Sequence, residues 1–296
     1  MKKISGITII LTLIGIMLVT GLAGCGSDQP DIIVGGKNFS EQYIMAEMLS
    51  ILIEDNTDLS TDLTLNLAGS VIDDAIKVGD IDLYLEYTGT ALINLGLEPG
   101  GSSEEVYETV KREYDQQLNI KWMKPYGFNN TYAMVVTRDT AEEYNLESIS
   151  DLTAVADQMI LGCTHVFTER NDGYPGLSRH YGFEFADVKG MDPSIMYQAV
   201  VEGSVDVISA FATEGRIAAF DLVILEDDQK FFPPYDATTI IRGDTLEEHP
   251  ELEDLLNKLA GRIDDNTMAA LNAQVDLDKR EPADVAREFL EQQGLI

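Results

Sequence analysis

One short pattern occurs twice in this chain, first as Gly79-Asp80-Ile81-Asp82-Leu83-Tyr84-Leu85-Glu86-Tyr87-Thr88-Gly89 and later as Gly203-Ser204-Val205-Asp206-Val207-Ile208-Ser209-Ala210-Phe211-Ala212-Thr213. In both copies an apolar periodic segment ends at the glycine, a run typical of a strand follows, and an aromatic residue stands eight positions beyond the glycine. A helix that stops at a glycine, a strand and a turn into the next helix form a βαβ-type unit. Because ligands bind at the carboxyl ends of strands in open α/β sheets, the repeat predicts two equivalent half-sites that face one cleft.

The segments on either side continue an alternation of strands and helices. Strands are predicted at 32–34, 63–67, 120–123, 133–137, 159–163 and 205–210. Helices are predicted at 40–52, 71–78, 102–117, 150–156, 194–201, 250–263, 265–272 and 282–292, with Ser40 as an N-cap and a capping box that starts at Ser102. This alternation is typical of parallel or mixed sheets that are covered by helices. Two separated blocks and a helical return at the C-terminus predict two lobes with at least two crossings between them.

The N-terminal residues predict the compartment. A basic start, Lys2-Lys3, precedes an uncharged, largely apolar run from Ile4 to Leu22, as in a secretory signal. The following Leu22-Ala23-Gly24-Cys25 resembles the lipobox of bacterial lipoproteins. That resemblance implies a signal peptide over residues 1–24, a lipid-modified Cys25 and a short anchored linker over 25–30. The alternative is an ordinary signal peptide with an incidental cysteine, and either case predicts an extracytoplasmic protein.

Charge and cysteine content exclude several classes of protein. The formal net charge is -32, with 52 acidic and 20 basic residues, so we expect no nucleic-acid partner. An acidic, solvated surface that suits high external salt is the more plausible explanation of this charge. Once Cys25 carries lipid, only Cys163 remains, so a disulfide within the chain is impossible and we expect a structural thiol in a buried strand.

Sequence motifs of catalysis are missing from the chain. It contains no Gly-x-Ser-x-Gly elbow, phosphate-binding loop, Cys-x-x-Cys or His-Glu-x-x-His. The histidines His165, His180 and His249 stand in unrelated local contexts. We therefore expect no enzyme activity, no metal and no cofactor.

Aromatic residues instead recur at strand ends and in turns, at Tyr87, Tyr132, Phe211 and Tyr235. Taken singly, each is more often a core or rim residue than a ligand contact. Lys37 stands in the first strand–helix turn and Arg170 in a loop. A basic residue in a strand-end turn beside a helix N-terminus is a candidate for binding an anion.

Five separated motifs carry a family resemblance: Gly36-Lys37-Asn38-Phe39-Ser40-Glu41, Tyr84-Leu85-Glu86-Tyr87-Thr88-Gly89-Thr90, Tyr126-Gly127-Phe128-Asn129-Asn130-Thr131-Tyr132, Thr213-Glu214-Gly215-Arg216 and Phe231-Phe232-Pro233-Pro234-Tyr235-Asp236. From about Ile32 to the C-terminus the chain resembles the substrate-binding lipoproteins of ABC importers for glycine betaine, proline betaine, carnitine and choline. The resemblance implies an α/β, two-lobed type II periplasmic-binding-protein fold with two crossovers between lobes. Lobe I would comprise 31–126 and 230–296, and lobe II would comprise 127–229.

The resemblance also implies a ligand site. A box of four rings, Tyr87, Tyr132, Phe211 and Tyr235, would surround a trimethylammonium group, each ring contributing roughly 0.5–2 kcal/mol. Lys37, Thr90 and Arg170 would hold the carboxylate of a betaine. The sequence departs from the family at Phe211, where relatives commonly carry Tyr. Because Lys37 and Arg170 are both present, we expect a zwitterion such as glycine betaine rather than choline.

The function implied is capture of a quaternary-ammonium solute for import. The partners would be an ABC transporter permease with its ATPase, and the membrane through the lipid anchor. Alternatives that the residues leave open are a receptor for choline, carnitine or another small cationic or amino-acid solute, an extracellular lipoprotein enzyme, and a lobe that binds no solute.

Overall fold

The computed structural model describes residues 30–98 and 100–296. The predicted signal peptide, 1–24, and the lipid site at Cys25 lie outside the described residues. Within the described ranges, no helix combines the length and the apolarity that crossing a bilayer requires.

Strands and helices alternate along the chain, as predicted. The strands are β1 (Ile32–Lys37), β2 (Thr61–Leu67), β3 (Leu83–Tyr87), β4 (Ile120–Trp122), β5 (Tyr132–Thr137), β6 (Ile160–Cys163), β7 (Asp187–Gly190), β8 (Val207–Phe211), β9 (Leu222–Leu225) and β10 (Ala237–Arg242). The helices are α1 (Ser40–Asn56), α2 (Gly69–Val78), α3 (Thr88–Asn94), α4 (Ser103–Leu118), α5 (Arg138–Tyr144), α6 (Tyr174–Tyr181), α7 (Pro193–Val201), α8 (Gly215–Ala219), α9 (Gly243–Glu248), α10 (Glu251–Leu256), α11 (Asp265–Asp276) and α12 (Pro282–Gln292). Short 3-10 turns lie at Ile149–Ala154, Ala156–Gln158, Val166–Thr168 and Asn257–Leu259.

The strands form two mixed sheets of the same design. The first sheet has the order β2-β1-β3-β10-β4 and the second β7-β6-β8-β5-β9. The strands of the repeated pattern, β3 and β8, each hold the middle position. Each has a parallel neighbour on one side and an antiparallel neighbour on the other. The repeat therefore marks equivalent places in the two sheets, and the predicted α/β class is confirmed.

Local chemistry explains why both copies fold alike. Gly79 and Gly203 adopt φ values of 84° and 70°, in the left-handed region that glycine enters without steric cost. Each glycine follows a helix and redirects the chain into the middle strand of its sheet. All five residues of β3 are buried, as expected for a strand with helices on both faces of the sheet.

Two segments join the two sheets, 123–131 between β4 and β5 and 226–236 between β9 and β10. We call the part built on the first sheet the first lobe and the part built on the second sheet the second lobe. The predicted boundaries at 126/127 and 229/230 fall within these two joining segments and remain predictions.

The helices bury apolar faces against the sheets. In α1 these residues include Ile44, Met48 and Leu52, each fully buried, and burying one such side chain contributes roughly 1.5–3 kcal/mol. The C-terminal helix α12 packs on α1, so the end of the chain belongs to the core of the first lobe.

Two helix starts were predicted from capping residues. The capping box at Ser102 is confirmed, because its hydroxyl accepts from the Glu105 backbone N–H while the Glu105 side chain accepts in return. The prediction for Ser40 is wrong. Phe39 is the N-cap of α1 and provides no side-chain hydrogen bond, while the Ser40 hydroxyl donates to Asp276 at 2.5 Å.

Two predicted helices differ in the structure, one being shorter and the other a 3-10 turn. The segment 250–263 is helical only to Leu256 and then makes a 3-10 turn. The amides of Gly261 and Ile263 instead donate to carbonyls of Pro125 and Tyr126 in the first joining segment. The segment 150–156 forms the 3-10 turn Ile149–Ala154.

Candidate functional site

A cavity of about 300 Å³ lies where β3 and β8 end. All seven residues predicted to contact the solute line it: Tyr87, Tyr132, Phe211, Tyr235, Lys37, Thr90 and Arg170. The first and second lobes both contribute to this list. The structure therefore brings together every residue that the sequence singled out for binding.

Tyr132, the first residue of β5, is the centre of the aromatic wall. Its ring centroid lies 5.2 Å from that of Phe211 and 5.6 Å from that of Tyr235, which it meets edge-on at 87°. Behind it, Phe167 at 4.9 Å and Phe232 at 5.8 Å fix the ring in place. Ring faces arranged around a small space offer a cation negative electrostatic potential on several sides.

Phe39 is a further aromatic residue of this wall that the sequence analysis did not assign to the site. It lies in the turn between β1 and α1, and its ring stacks on Phe211 with centroids 5.8 Å apart and planes 9° apart. Because Phe39 comes from the first lobe and Phe211 from the second, the stack joins the two lobes beside the cavity. In the sequence it stands two residues after Lys37, within the first of the five motifs that carried the family resemblance.

Tyr87 is held by its hydroxyl. The hydroxyl donates to Glu41 Oε1 at 2.6 Å and accepts from Gln42 Nε2 at 3.2 Å. Burial raises the pKa of Tyr87 well above its usual range, and the nearby Glu41 charge adds to the shift. The ring therefore stays neutral and keeps its orientation at the end of β3.

Lys37, predicted to bind a carboxylate, already has an anionic partner. Its Nζ lies 2.5 Å from Glu86 Oε1, and the side chains are 8% and 0% exposed. Glu86 also accepts from the Tyr84 hydroxyl at 2.8 Å. Lys37 Nζ lies 5.1 Å from the centroid of the Tyr87 ring. An ammonium has three N–H donors, so donors remain for a solute.

Arg170 is paired in the same manner. Its Nε and Nη2 donate to the two oxygens of Asp172 at 2.7 and 2.5 Å, which leaves Nη1 for a solute. The Tyr235 hydroxyl also donates to Asp172, at 2.5 Å, from the second joining segment. Burial lowers the pKa of Arg170, but its bonds to Asp172 outweigh burial and the net shift is upward. The guanidinium is therefore always charged.

Thr90, predicted to hold a carboxylate, lies in α3 and lines the cavity from the first lobe. Further lining residues were not assigned to the site from the sequence, among them His165 and Asp192 of the second lobe. Asn38, Phe39 and Asn130 also line it, and they belong to motifs that carried the family resemblance. His165 and Asp192 belong to no such motif.

Neither a metal cluster nor an activated thiol is found among the described residues. Among residues 30–98 and 100–296, no group of three or more His, Cys, Asp or Glu side chains could hold a metal ion. Burial raises the pKa of the Cys163 thiol to about 11, so this group is a poor nucleophile. Burial also raises the pKa of Tyr132 to about 12, so this phenol is neutral at ordinary pH.

Comparison with known proteins identifies the family. Residues 30–292 match the model of the substrate binding domain of the ABC-type glycine betaine transport system. The chain belongs to this family. The predicted resemblance is thereby confirmed, and so is the expectation of a solute-binding protein of an ABC transport system rather than an enzyme.

Individual relatives agree with this assignment. The carnitine transport binding protein OpuCC of Listeria monocytogenes is 35% identical over 294 residues, which cover 95% of this chain and 96% of that protein. The ergothioneine transport permease/ergothioneine binding protein EgtU of Helicobacter pylori is 36% identical over 270 residues, 90% of this chain, and this chain spans 48% of that protein. A crystal structure of a glycine betaine/carnitine/choline ABC transporter superposes with a TM-score of 0.75 at 36% identity, covering 89% of this chain and 99% of that one. This match confirms the two-lobed fold.

Proposed function

We propose that this protein is an extracytoplasmic receptor that captures a zwitterionic trimethylammonium compound, such as glycine betaine, between its two lobes. The observation that carries the proposal is the lining of one cavity by the four aromatic rings and the two cations predicted for those roles, with the side chains of Lys37 and Arg170 only 8% and 16% exposed. Carnitine and ergothioneine, named for two relatives, both combine a trimethylammonium group with a carboxylate.

The aromatic side of the cavity suits the ammonium group. A quaternary ammonium has no N–H and makes no strong hydrogen bond, so ring faces are its suitable partners. In our proposal Tyr87, Tyr132, Phe211 and Tyr235 form the box, and Phe39 supports it from the first lobe. Each ring contributes roughly 0.5–2 kcal/mol, the larger value applying once closure excludes water.

The basic side of the cavity suits the carboxylate. Lys37 and Arg170 each retain donors after pairing with Glu86 and Asp172, and Thr90 adds a hydroxyl. A charge-assisted hydrogen bond contributes about 1.5–3 kcal/mol. Each of the two cations is paired with a buried carboxylate, so these four groups together add no net charge and suit a solute that has none. Choline, which carries a positive charge and no carboxylate, would leave these donors unused.

Isothermal titration of the full chain with glycine betaine, carnitine and choline tests this proposal. We expect glycine betaine or carnitine to bind at least tenfold more tightly than choline. Tight binding of choline without binding of either betaine would refute the zwitterion preference, and no binding of any quaternary amine would refute the receptor itself.

A matched pair of variants tests the location of the site. Tyr132→Leu removes the central ring and should weaken betaine binding by at least tenfold. Tyr181→Leu removes another buried tyrosine of the second lobe that does not line the cavity, and it should leave affinity unchanged. Equal effects of the two substitutions would contradict the proposed location.

A larger betaine is the second candidate solute. It is favoured by the 36% identity to an ergothioneine binding protein and by a further cavity of about 300 Å³ beyond Phe39 and Phe211. Adding ergothioneine to the titration series decides between the two candidates, because the tighter ligand under identical conditions is the better solute. A receptor for choline, for another small cation or for an amino acid is the remaining alternative, and the same series tests the choline case.

The membrane anchor and the transporter partners are part of the proposal. We infer that Cys25 carries lipid after removal of residues 1–24 and that the protein delivers its solute to an ABC permease with an ATPase. Labelling of cells with palmitate should mark the wild-type protein but not Cys25→Ser, and this variant should be released from the membrane. A Cys25→Ser protein that remains membrane-bound would refute the anchor.

A further inference from the structure

The motif Thr213-Glu214-Gly215-Arg216 has no direct place in the proposed contacts with the solute. It follows β8 in the second lobe and packs on α11, which also packs on α1 of the first lobe. A Cβ at Gly215 would lie 2.7 Å from Ala273 Cβ and 2.8 Å from the Ala269 carbonyl oxygen. Only glycine permits this approach, so the segment is shaped to rest against the first lobe.

Thr213 places its hydroxyl on a carboxylate of the first lobe. Its Oγ1 donates to Glu41 Oε2 at 2.6 Å, and its side chain is buried. Asn272 of α11 donates to the same Oε2 at 3.2 Å and to the Thr213 carbonyl oxygen at 2.9 Å. Glu41 and Asn272 together hold both the side chain and the backbone of Thr213.

The other oxygen of Glu41 reaches the aromatic box. Glu41 Oε1 accepts from the Tyr87 hydroxyl at 2.6 Å and from Asn130 Nδ2 at 2.8 Å. Asn130 lies in the joining segment between the two sheets. One buried carboxylate, 2% exposed, therefore connects a box ring, a joining segment and the second lobe.

A salt-bridge cluster continues the contact along α11. Arg216 donates to both oxygens of Glu214 at 2.7 and 2.8 Å, and its Nη2 lies 3.6 Å from Asp276. Asp276 accepts from Ser40 at 2.5 Å. Because Glu214 and Arg216 belong to the second lobe and Ser40 to the first, this cluster lies on the same line of contact as Glu41 and Thr213.

We propose that Glu41, Thr213, Gly215 and Asn272 form a clasp that fastens the two lobes over the solute, with Glu41 as a positioning residue for the Tyr87 ring. The inference rests on the proposed function, because it explains how closure and the box are coupled. Separation of the lobes would withdraw the Thr213 hydroxyl from Glu41 and free one side of the group that orients Tyr87. Ligand and closed state then stabilise each other.

Thr213→Val tests the clasp with little change of shape. Loss of one hydrogen bond to a carboxyl group should weaken glycine betaine binding about tenfold. The melting temperature of the unliganded protein should fall less than it does in a variant that loses a bond within one lobe, because only the closed fraction of the unliganded protein makes the Thr213–Glu41 bond. Glu41→Gln keeps the volume of the side chain but places an amide N–H donor against groups that donate to Glu41. It should therefore weaken betaine binding at least as much as Thr213→Val does.

Thr245→Val is the matched control. Thr245 is also buried, and its hydroxyl donates to the carboxylate of Asp82 at 3.1 Å, but both residues lie in the first lobe. This variant should lower the melting temperature of the unliganded protein and leave affinity unchanged. The contrast separates a bond that holds the lobes together from a bond that only stabilises one lobe.

The outcomes separate the clasp from the proposed function. If wild-type protein binds betaine and Thr213→Val binds equally well, or loses unliganded stability as Thr245→Val does, the clasp is refuted and the receptor stands. If wild type binds no quaternary amine, the proposed function fails, and solution scattering of unliganded wild type and Thr213→Val still tests the clasp. A larger radius of gyration for Thr213→Val supports it, and identical radii refute it.

Discussion

Replacement of Phe211 by leucine measures how much of the proposed binding is an interaction between a cation and an aromatic ring. Phe211 ends β8 and packs between Phe39 at 5.8 Å and Tyr132 at 5.2 Å. Leucine fills much of the same space but has no ring face. The loss of roughly 0.5–2 kcal/mol per ring corresponds to a weakening of about 2- to 30-fold in Kd for glycine betaine. Closure excludes water from the ring faces, so we expect the effect near tenfold.

The assay compares two ligands of nearly equal shape. In 3,3-dimethylbutyrate a carbon replaces the nitrogen of glycine betaine, so the apolar surface remains and the positive charge disappears. Isothermal titration of wild type should show a preference for glycine betaine. In Phe211→Leu the affinity for glycine betaine should fall about tenfold, while the affinity for the carbon isostere changes by about twofold or less.

Equal weakening of both ligands by Phe211→Leu would contradict a cation–ring interaction at this position, because Phe211 would then supply shape and not charge recognition. Phe220→Leu provides the control. Phe220 is a partly buried phenylalanine of the same lobe that does not line the cavity. It should leave both affinities unchanged.

Three further predictions concern the carboxylate side and the clasp. Thr90→Val removes a predicted carboxylate donor and should weaken glycine betaine about tenfold with little effect on choline, as titration of both ligands will show. Gly215→Ala places a methyl group 2.7 Å from Ala273 Cβ, so betaine affinity should fall by at least tenfold while unliganded protein remains folded by circular dichroism. Burial raises the pKa of Glu41 above 4.5 despite the hydrogen bonds that lower it, so the closed form holds a proton more tightly than an open form that exposes Glu41. The free energy that protonated Glu41 contributes to the closed form is present in full below the ordinary pKa of a glutamate and is lost as pH rises through the raised pKa. The Kd for glycine betaine, measured against pH, should therefore increase across this window in wild type and stay flat in Glu41→Gln.

Much of the fold follows from local signals. The glycines at 79 and 203 stop a helix and start a strand, and this chemistry depends only on neighbouring residues. The repeat therefore predicted the equivalent positions of β3 and β8 correctly. The residues proposed for the box and the carboxylate site came from the family resemblance, and their meeting in one cavity agrees with it.

The sequence pattern did not predict contacts between residues that lie far apart along the chain. The strand β10 was not predicted, because its partners β3 and β4 lie far away along the chain. Ser40 was taken for a helix cap, but its hydroxyl bonds Asp276, 236 positions away. Phe39 is a single ring in a turn, so no periodicity marked it.

The acidic partners of the site could not be identified for a different reason. With 52 acidic residues in the chain, any pairing of Asp or Glu with Lys37 or Arg170 was arbitrary before the fold was known. Only the geometry distinguishes Glu86 and Asp172, which are both fully buried, from the acids of the solvated surface.

The pairing of Lys37 with Glu86 and of Arg170 with Asp172 has a consequence for ionic strength. Between 0.1 and 1 M salt the screening length falls from about 10 Å to about 3 Å, which weakens interactions between exposed charges but scarcely affects buried pairs. The proposed carboxylate site is built from two pairs whose side chains are 0% to 16% exposed, although the protein carries a net charge of -32. A receptor of this design retains its affinity for a solute without net charge when external salt rises, which is the condition in which a cell most needs to import an osmoprotectant.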